Sequence, residues 1–227
     1  MNLDEVLIQL KQLSTPSHFA KMSHFGINTE KALGVKVPLL RQLAKKIAKN
    51  HDLALELWAT EIHEARLLAG MIEIPSLITE TQFDLWVNDF DSWDLCDSVC
   101  DVLVKTPFVL QKIDQYSNQE QEFVKRTAFT LMCKLAFHDK KATNDLFCHF
   151  YSHIEREAWD DRNFVRKAVN WALRQIGKRN EFLRLEGVEV ANRILQQNTK
   201  SSRWIANDAL RELNDNKIIL RVKAKSV

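Results

Sequence analysis

Glycine and proline are scarce: 5 Gly and 4 Pro in 227 residues. With so few breakers, and with Ala, Leu, Lys, Arg, Glu and Gln abundant, an all-helical chain is expected, with no sheet of three or more strands. No run of 18 apolar residues occurs, so no membrane span is expected. The opening MNLDEVLIQLKQL lacks a basic n-region and a long apolar core, so it is not expected to be a signal peptide. The four cysteines (Cys96, Cys100, Cys133, Cys148) form no C-x-x-C, and the chain is large for a disulfide scaffold. They read as reduced thiols of a cytoplasmic protein. There is no phosphate-binding Walker loop, G-x-G-x-x-G, G-x-S-x-G or H-E-x-x-H. The net charge is only +2, so affinity for a polyanion requires a local patch.

Such a patch is present. Arg162 to Arg184 reads RNFVRKAVNWALRQIGKRNEFLR and holds seven Lys or Arg against one acid, Glu181. At 100° per residue, Val165, Val169, Ala172 and Ile176 fall on one side, flanked by Ala168 and Leu173. Lys167, Trp171, Arg174 and Lys178 fall on the other. A tryptophan in the middle of a basic face suits a surface that meets phosphates and a flat or cationic ring. The same residues could also simply solvate a helix, with the indole packed under a neighbour.

Helices are expected over 4–13, 16–23, 38–50, 51–58, 62–72, 79–90, 93–105, 108–116, 120–137, 141–157, 162–179, 181–197 and 200–213. The basic tail from residue 215 is expected to fray. The helix opened by Pro38 carries Arg41, Lys45, Lys46 and Lys49, a second basic surface. Phe123-Val124-Lys125-Arg126 is echoed 41 residues later by Phe164-Val165-Arg166-Lys167, and Trp204-Ile205 lies 40 residues beyond Phe164. A period near 40 in a helical chain is the size of a two-helix HEAT or armadillo unit. Such units stack into an α-solenoid with a concave face, here expected to be basic. No linker interrupts the chain, so residues 1–227 read as one domain.

Two more helices place unusual residues off their apolar stripe. Trp93 and Asp97 are four apart, while Leu95, Val99 and Val102 point elsewhere. Arg126 lies opposite Val124, Ala128, Leu131 and Leu135. If a solenoid turned these faces inward, Trp93, Asp97, Arg126 and Trp171 would share one wall. Each also has a structural use, as a core indole or an ion pair between repeats. His149 and His153, beside Cys148, have metal-ligand spacing, but no second ligand cluster accompanies them in the sequence, so no metal is expected.

SWDLCD, FVKR and FVRKAVNWALRQIGKR resemble the HEAT-like-repeat DNA alkylation repair proteins, the AlkD family of DNA glycosylases, from about residue 20 to 213. The family's W-x-x-x-D matches Trp93 and Asp97, its arginine matches Arg126, and its later tryptophan matches Trp171. Phe25 is the nearest match to an early-helix aromatic. The resemblance implies a monomeric, cofactor-free N-glycosylase that removes cationic N3- or N7-alkylated purines from duplex DNA. Asp97, Trp93, Trp171 and Arg126 would be its catalytic residues. Lys125, Arg162, Arg166, Lys167, Arg174 and Lys178 would contact DNA. The alternative is a non-catalytic HEAT-like module that binds DNA structure or a protein partner, with RNA a third possible ligand for the same face.

Overall fold

The computed structural model describes residues 1–224. They form fourteen α-helices and one 3-10 turn, with no strand among the described residues. The contacts group the helices into two units, Met1–Phe108 and Val109–Val227.

The first unit contains α1 (Leu3–Gln12), α2 (Pro16–His24), α3 (Val37–Ile47), α4 (His51–Ala59), α5 (His63–Ile72), α6 (Glu80–Asn88) and α7 (Trp93–Leu103). Proline marks two of these starts, at Pro16 and Pro38 in the first turns of α2 and α3, where its missing N–H costs nothing. Side-chain caps mark others. Asn2 accepts from Glu5 N, Asn50 from Leu53 N and Thr79 from Gln82 N. α5 is the central helix, packing against α3, α4 and α7. Its Ala65, Leu67, Leu68, Ala69 and Ile72 are buried. Trp58 stacks on Trp86, ring centroids 4.1 Å apart and nearly parallel, and donates its indole N–H to Asp89 at 2.8 Å.

The loop before α3 is held from below. Glu64 is fully buried, yet its carboxylate accepts from the backbone N–H groups of Leu33 (2.7 Å), Gly34 (2.6 Å) and Val35 (3.0 Å). These bonds offset the cost of burying the charge. Gly34 has φ +77, and a Cβ there would lie 2.9 Å from both Thr15 O and a ring carbon of Phe19. Only glycine fits without strain.

The second unit contains α8 (Val109–Tyr116), α9 (Glu122–His138), α10 (Asn144–Glu157), α11 (Asn163–Gly177), α12 (Glu181–Gln196), α13 (Lys200–Leu213) and α14 (Asn216–Lys223). α11 packs against α9, α12 and α13, and its predicted stripe, Val165, Ala168, Val169, Ala172, Leu173 and Ile176, is buried. The aromatic openings of successive repeats touch. Phe123 lies 5.6 Å from Phe164, and the Arg166 guanidinium lies 5.0 Å over Trp204.

Two expectations change. The tail does not fray from residue 215: Asp215 caps α14 by accepting from Lys217 N, and Val222 is buried. Residues 225–227 of that expected tail lie outside the described residues. α9 has no exposed face for Arg126, because Val124 to Cys133 are all buried, as for any helix enclosed by neighbours.

Candidate nucleic-acid interface

On α7 the apolar side (Leu95, Val99, Val102) is buried, as are Cys96, Cys100 and Leu103, while Trp93 and Asp97 are half-buried. The Trp93 indole N–H donates to the Phe25 carbonyl at 2.9 Å. Phe25 follows α2 directly, and its own ring is 62 % exposed. The two aromatics share an apolar cavity of about 270 Å³ with Met22, Val35, Val37 and Leu67. His63 and Asp94 also line it, paired at 2.9 Å. Burial works against the His63 charge, but the Asp94 carboxylate, with Glu64 and Asp91 behind it, outweighs that and raises the His63 pKa. The second Asp94 oxygen is buried without a hydrogen-bond partner.

In the second unit Trp171 is half-buried. The Lys134 ammonium lies 6.0 Å from its ring centre. With its amide turned so that the oxygen meets donors, Gln175 accepts from Trp171 Nε1 (3.1 Å) and Lys178 Nζ (3.2 Å). Arg126 is 5 % exposed and donates to the Phe164 carbonyl at 2.6 Å. It anchors the start of α11.

Most of the basic stretch holds protein rather than facing solvent. Lys125 is buried, with its ammonium 2.6 Å from Glu157 and 3.4 Å from Asp160, and is a poor phosphate contact in that position. Arg162 binds Asp160 and the Glu120 carbonyl. Arg174 and Lys178 converge on Glu212, each at 2.5 Å. Burial opposes the Glu212 charge, but these two cations outweigh it and lower its pKa. Arg179 donates to the Ala136 and Ala142 carbonyls with its guanidinium 4.0 Å over Phe147. Burial, only partly offset by the charge of Asp139, lowers its pKa. Arg184 pairs with Glu181 and donates to the last carbonyl of α13, Leu213. Of the predicted contacts only Lys167 is exposed.

Other cations are exposed: Lys140 and Arg221, which the sequence did not single out, and part of the second basic surface it did, on α3. A cavity of about 620 Å³ is lined by Phe137, Lys140, Gln175, Lys178, Arg179 and Arg221. Lys140 and Arg221 are exposed. In the first unit Arg41, Lys45 and Lys46 of α3 are exposed, whereas Lys49 caps the end of α5 by donating to the Met71 and Glu73 carbonyls. No helix among the described residues is long and apolar enough to cross a membrane.

No curated protein matches the sequence. A solved structure matches at TM-score 0.79 with 22% identity, over 94% of this chain and 96% of that one. It is described as "a new family of proteins related to the HEAT-like repeat DNA glycosylases with affinity for branched DNA structures". The likeness establishes an all-α fold of HEAT-like repeats. The model of the DNA alkylation repair enzymes matches residues 6–213. By that match, which covers most of its length, this chain belongs to the DNA alkylation repair enzyme family.

Proposed function

We propose that the protein binds duplex DNA and hydrolyses the N-glycosidic bond of purines made cationic by alkylation at N3 or N7. The observation that carries this reading is the Trp93–Asp97 pair: an aromatic and an acid stacked on the half-buried side of α7, in a family of DNA repair enzymes. An alkylated purine already bears a positive charge, so its bond to the sugar breaks without a general acid. The sugar is left as an oxocarbenium-like cation. The Asp97 carboxylate stabilises that charge and takes the proton of the attacking water. The Trp93 indole offers its π face to that developing positive charge. Arg126 fixes the start of α11, and with it the position of Trp171. Lys167, Lys140, Arg221 and the α3 cations are the exposed groups that meet phosphates. Lys125, Arg174 and Lys178 contribute through the fold, because each already holds a carboxylate.

A second reading is favoured by one observation: the matched structure comes from proteins described by their affinity for branched DNA. On that reading the chain binds DNA junctions and does no chemistry. Single-turnover release of 7-methylguanine from methylated duplex separates the two. Release by the wild-type protein and its loss in folded Asp97→Asn supports the glycosylase. No release, with tighter binding to a four-way junction than to duplex, supports the binding module.

A further inference from the structure

We propose that Asp114, His149 and His153 form a binding site for one divalent transition-metal ion of the kind imidazole favours, zinc above all. His149 and His153 are one turn apart on α10, which stacks them on one face. Asp114 projects from α8. The two Nε2 atoms are 3.3 Å apart. A single Asp114 oxygen, Oδ1, lies 2.9 Å from the first and 2.8 Å from the second. Three donor atoms from three residues thus form a small triangle, in a unit where the sequence offered only the histidine pair.

The triangle has the size of one face of a coordination shell. Its circumscribed radius is about 1.75 Å, so an ion about 1.2 Å out of its plane reaches all three donors at about 2.1 Å, the usual zinc–nitrogen and zinc–oxygen length. At that length the ligand spacing is about 3.4 Å for a tetrahedral ion and about 3.0 Å for neighbouring ligands of an octahedral one. The imidazole edge meets the first value, and the two carboxylate edges lie near the second. His149 and Asp114 are each about half exposed, whereas His153 is 8 % exposed. One ligand is therefore fixed by packing, and the outer side is open to water.

Without an ion, hydrogen bonds tie the three side chains together. The Arg156 guanidinium donates to His153 Nδ1 at 3.0 Å, which puts the His153 proton on Nε2, toward Asp114. If His149 Nε2 also carries a proton, two N–H groups crowd one oxygen. If it does not, its lone pair faces the carboxylate. An ion at the centre replaces both protons and meets both lone pairs. His153 Nδ1 then carries the proton, and Ser117 Oγ, 3.4 Å away, is placed to accept it. Arg156 must turn away. It keeps a partner in Glu157, 2.7 Å from its Nε. Arg156 is thus a competitor of the metal.

The test uses the full-length protein after chelator treatment, titrated with Co²⁺ for its ligand-field absorption and then with Zn²⁺ in competition. One equivalent is expected, with affinity reduced by about 100-fold or more in His149→Ala and Asp114→Asn, at or beyond the upper end of what losing an outer-shell partner costs. Arg156→Ala is expected to bind more tightly than wild type, and Cys148→Ser to bind equally well. Both reduced-affinity variants change half-exposed side chains, and metal-free melting confirms their folding. Absence of saturable binding in the wild type, or unchanged affinity in folded His149→Ala, overturns the site. Glycosylase activity plays no part in the readout.

Discussion

The two units use buried charge in opposite senses. In the first, the fully buried acids are Glu64 and Glu73, and they accept from donors of the loops and helices around them: Leu33, Gly34 and Val35 for Glu64, Ile74 N and Gln82 for Glu73. In the second, the buried Arg126 and Arg184 and the half-buried Arg179 donate to backbone carbonyls. Arg179 and Arg184 reach carbonyls at or near the ends of α9 and α13, the groups a helix leaves unpaired. The step of these links differs as well. In the first unit Lys31–Glu61, Trp58–Asp89 and His63–Asp94 join residues 30 or 31 apart. In the second, Lys125–Glu157, Arg174–Glu212 and Arg179–Ala136 join residues 32 to 43 apart. The helices account for it: α1 to α7 have 9 to 11 residues, whereas α9 to α13 have 14 to 17. One repeat further along the chain therefore means about thirty residues early and about forty late. Many of the cations lie on those rungs.

The largest effect follows from breaking a rung. Lys125→Ala leaves Glu157 and Asp160 buried without their ammonium, with Arg156 and Arg162 still paired to them, and should cost about 3 kcal/mol in denaturant titration, the low end for broken buried pairs. Glu64→Ala strands three backbone donors and should cost about 3 kcal/mol, with hydrogen-exchange protection lost first at residues 33–35. If Lys125→Ala unfolds no more easily than the surface change Lys167→Ala, the contrast between internal and external cations is mistaken.

Asp97→Asn comes next. Excision should fall by about 10²-fold, roughly 2.7 kcal/mol in barrier, with the melting temperature unchanged. A parallel loss of rate and stability would instead make Asp97 another rung. Smaller effects separate the cations that meet phosphate. Lys140→Ala, Arg221→Ala and Lys167→Ala should each lower the salt slope of duplex binding by about one unit. Arg174→Ala should change it less, because Glu212 already holds that guanidinium. Equal slopes for Arg174→Ala and Lys167→Ala would dissolve the distinction.

The smallest effect is one of pH. The His63 pKa is raised in the folded state, so the His63–Asp94 contribution is fully present below the ordinary value of 6.5 and is lost as pH rises through the folded value. Wild-type stability should therefore lose this component as pH rises above about 6.5, and Asp94→Asn should remove the loss. An identical pH profile in the variant would show that the pair does not matter.

The helices were legible because their apolar residues recur at the helical period and because Pro16, Pro38 and Thr79 mark starts. α14 was missed because a basic tail looked like a solvated end. The Asp215 cap and the apolar Ile218, Ile219 and Val222 were the signal there. The forty-residue period was real only where Phe123, Phe164 and Trp204 advertised it; the shorter early repeats carry no such echo. The charges misled most. Whether a lysine faces DNA or a carboxylate depends on an acid one repeat away, and nothing local to Arg162–Arg184 reveals Glu212, which holds Arg174 and Lys178. For the same reason the third donor beside His149 and His153 was invisible: Asp114 is 35 residues from the first.

The parallel Trp58 and Trp86 rings have an optical consequence. Two indoles 4.1 Å apart couple their electronic transitions, and such coupling alters their band in ultraviolet circular dichroism. That alteration depends on the packing of α4 against α6 and vanishes when the rings separate. The early, thirty-residue repeats therefore carry a built-in chromophore of their own, and their unfolding can be followed without labels and apart from that of the longer repeats.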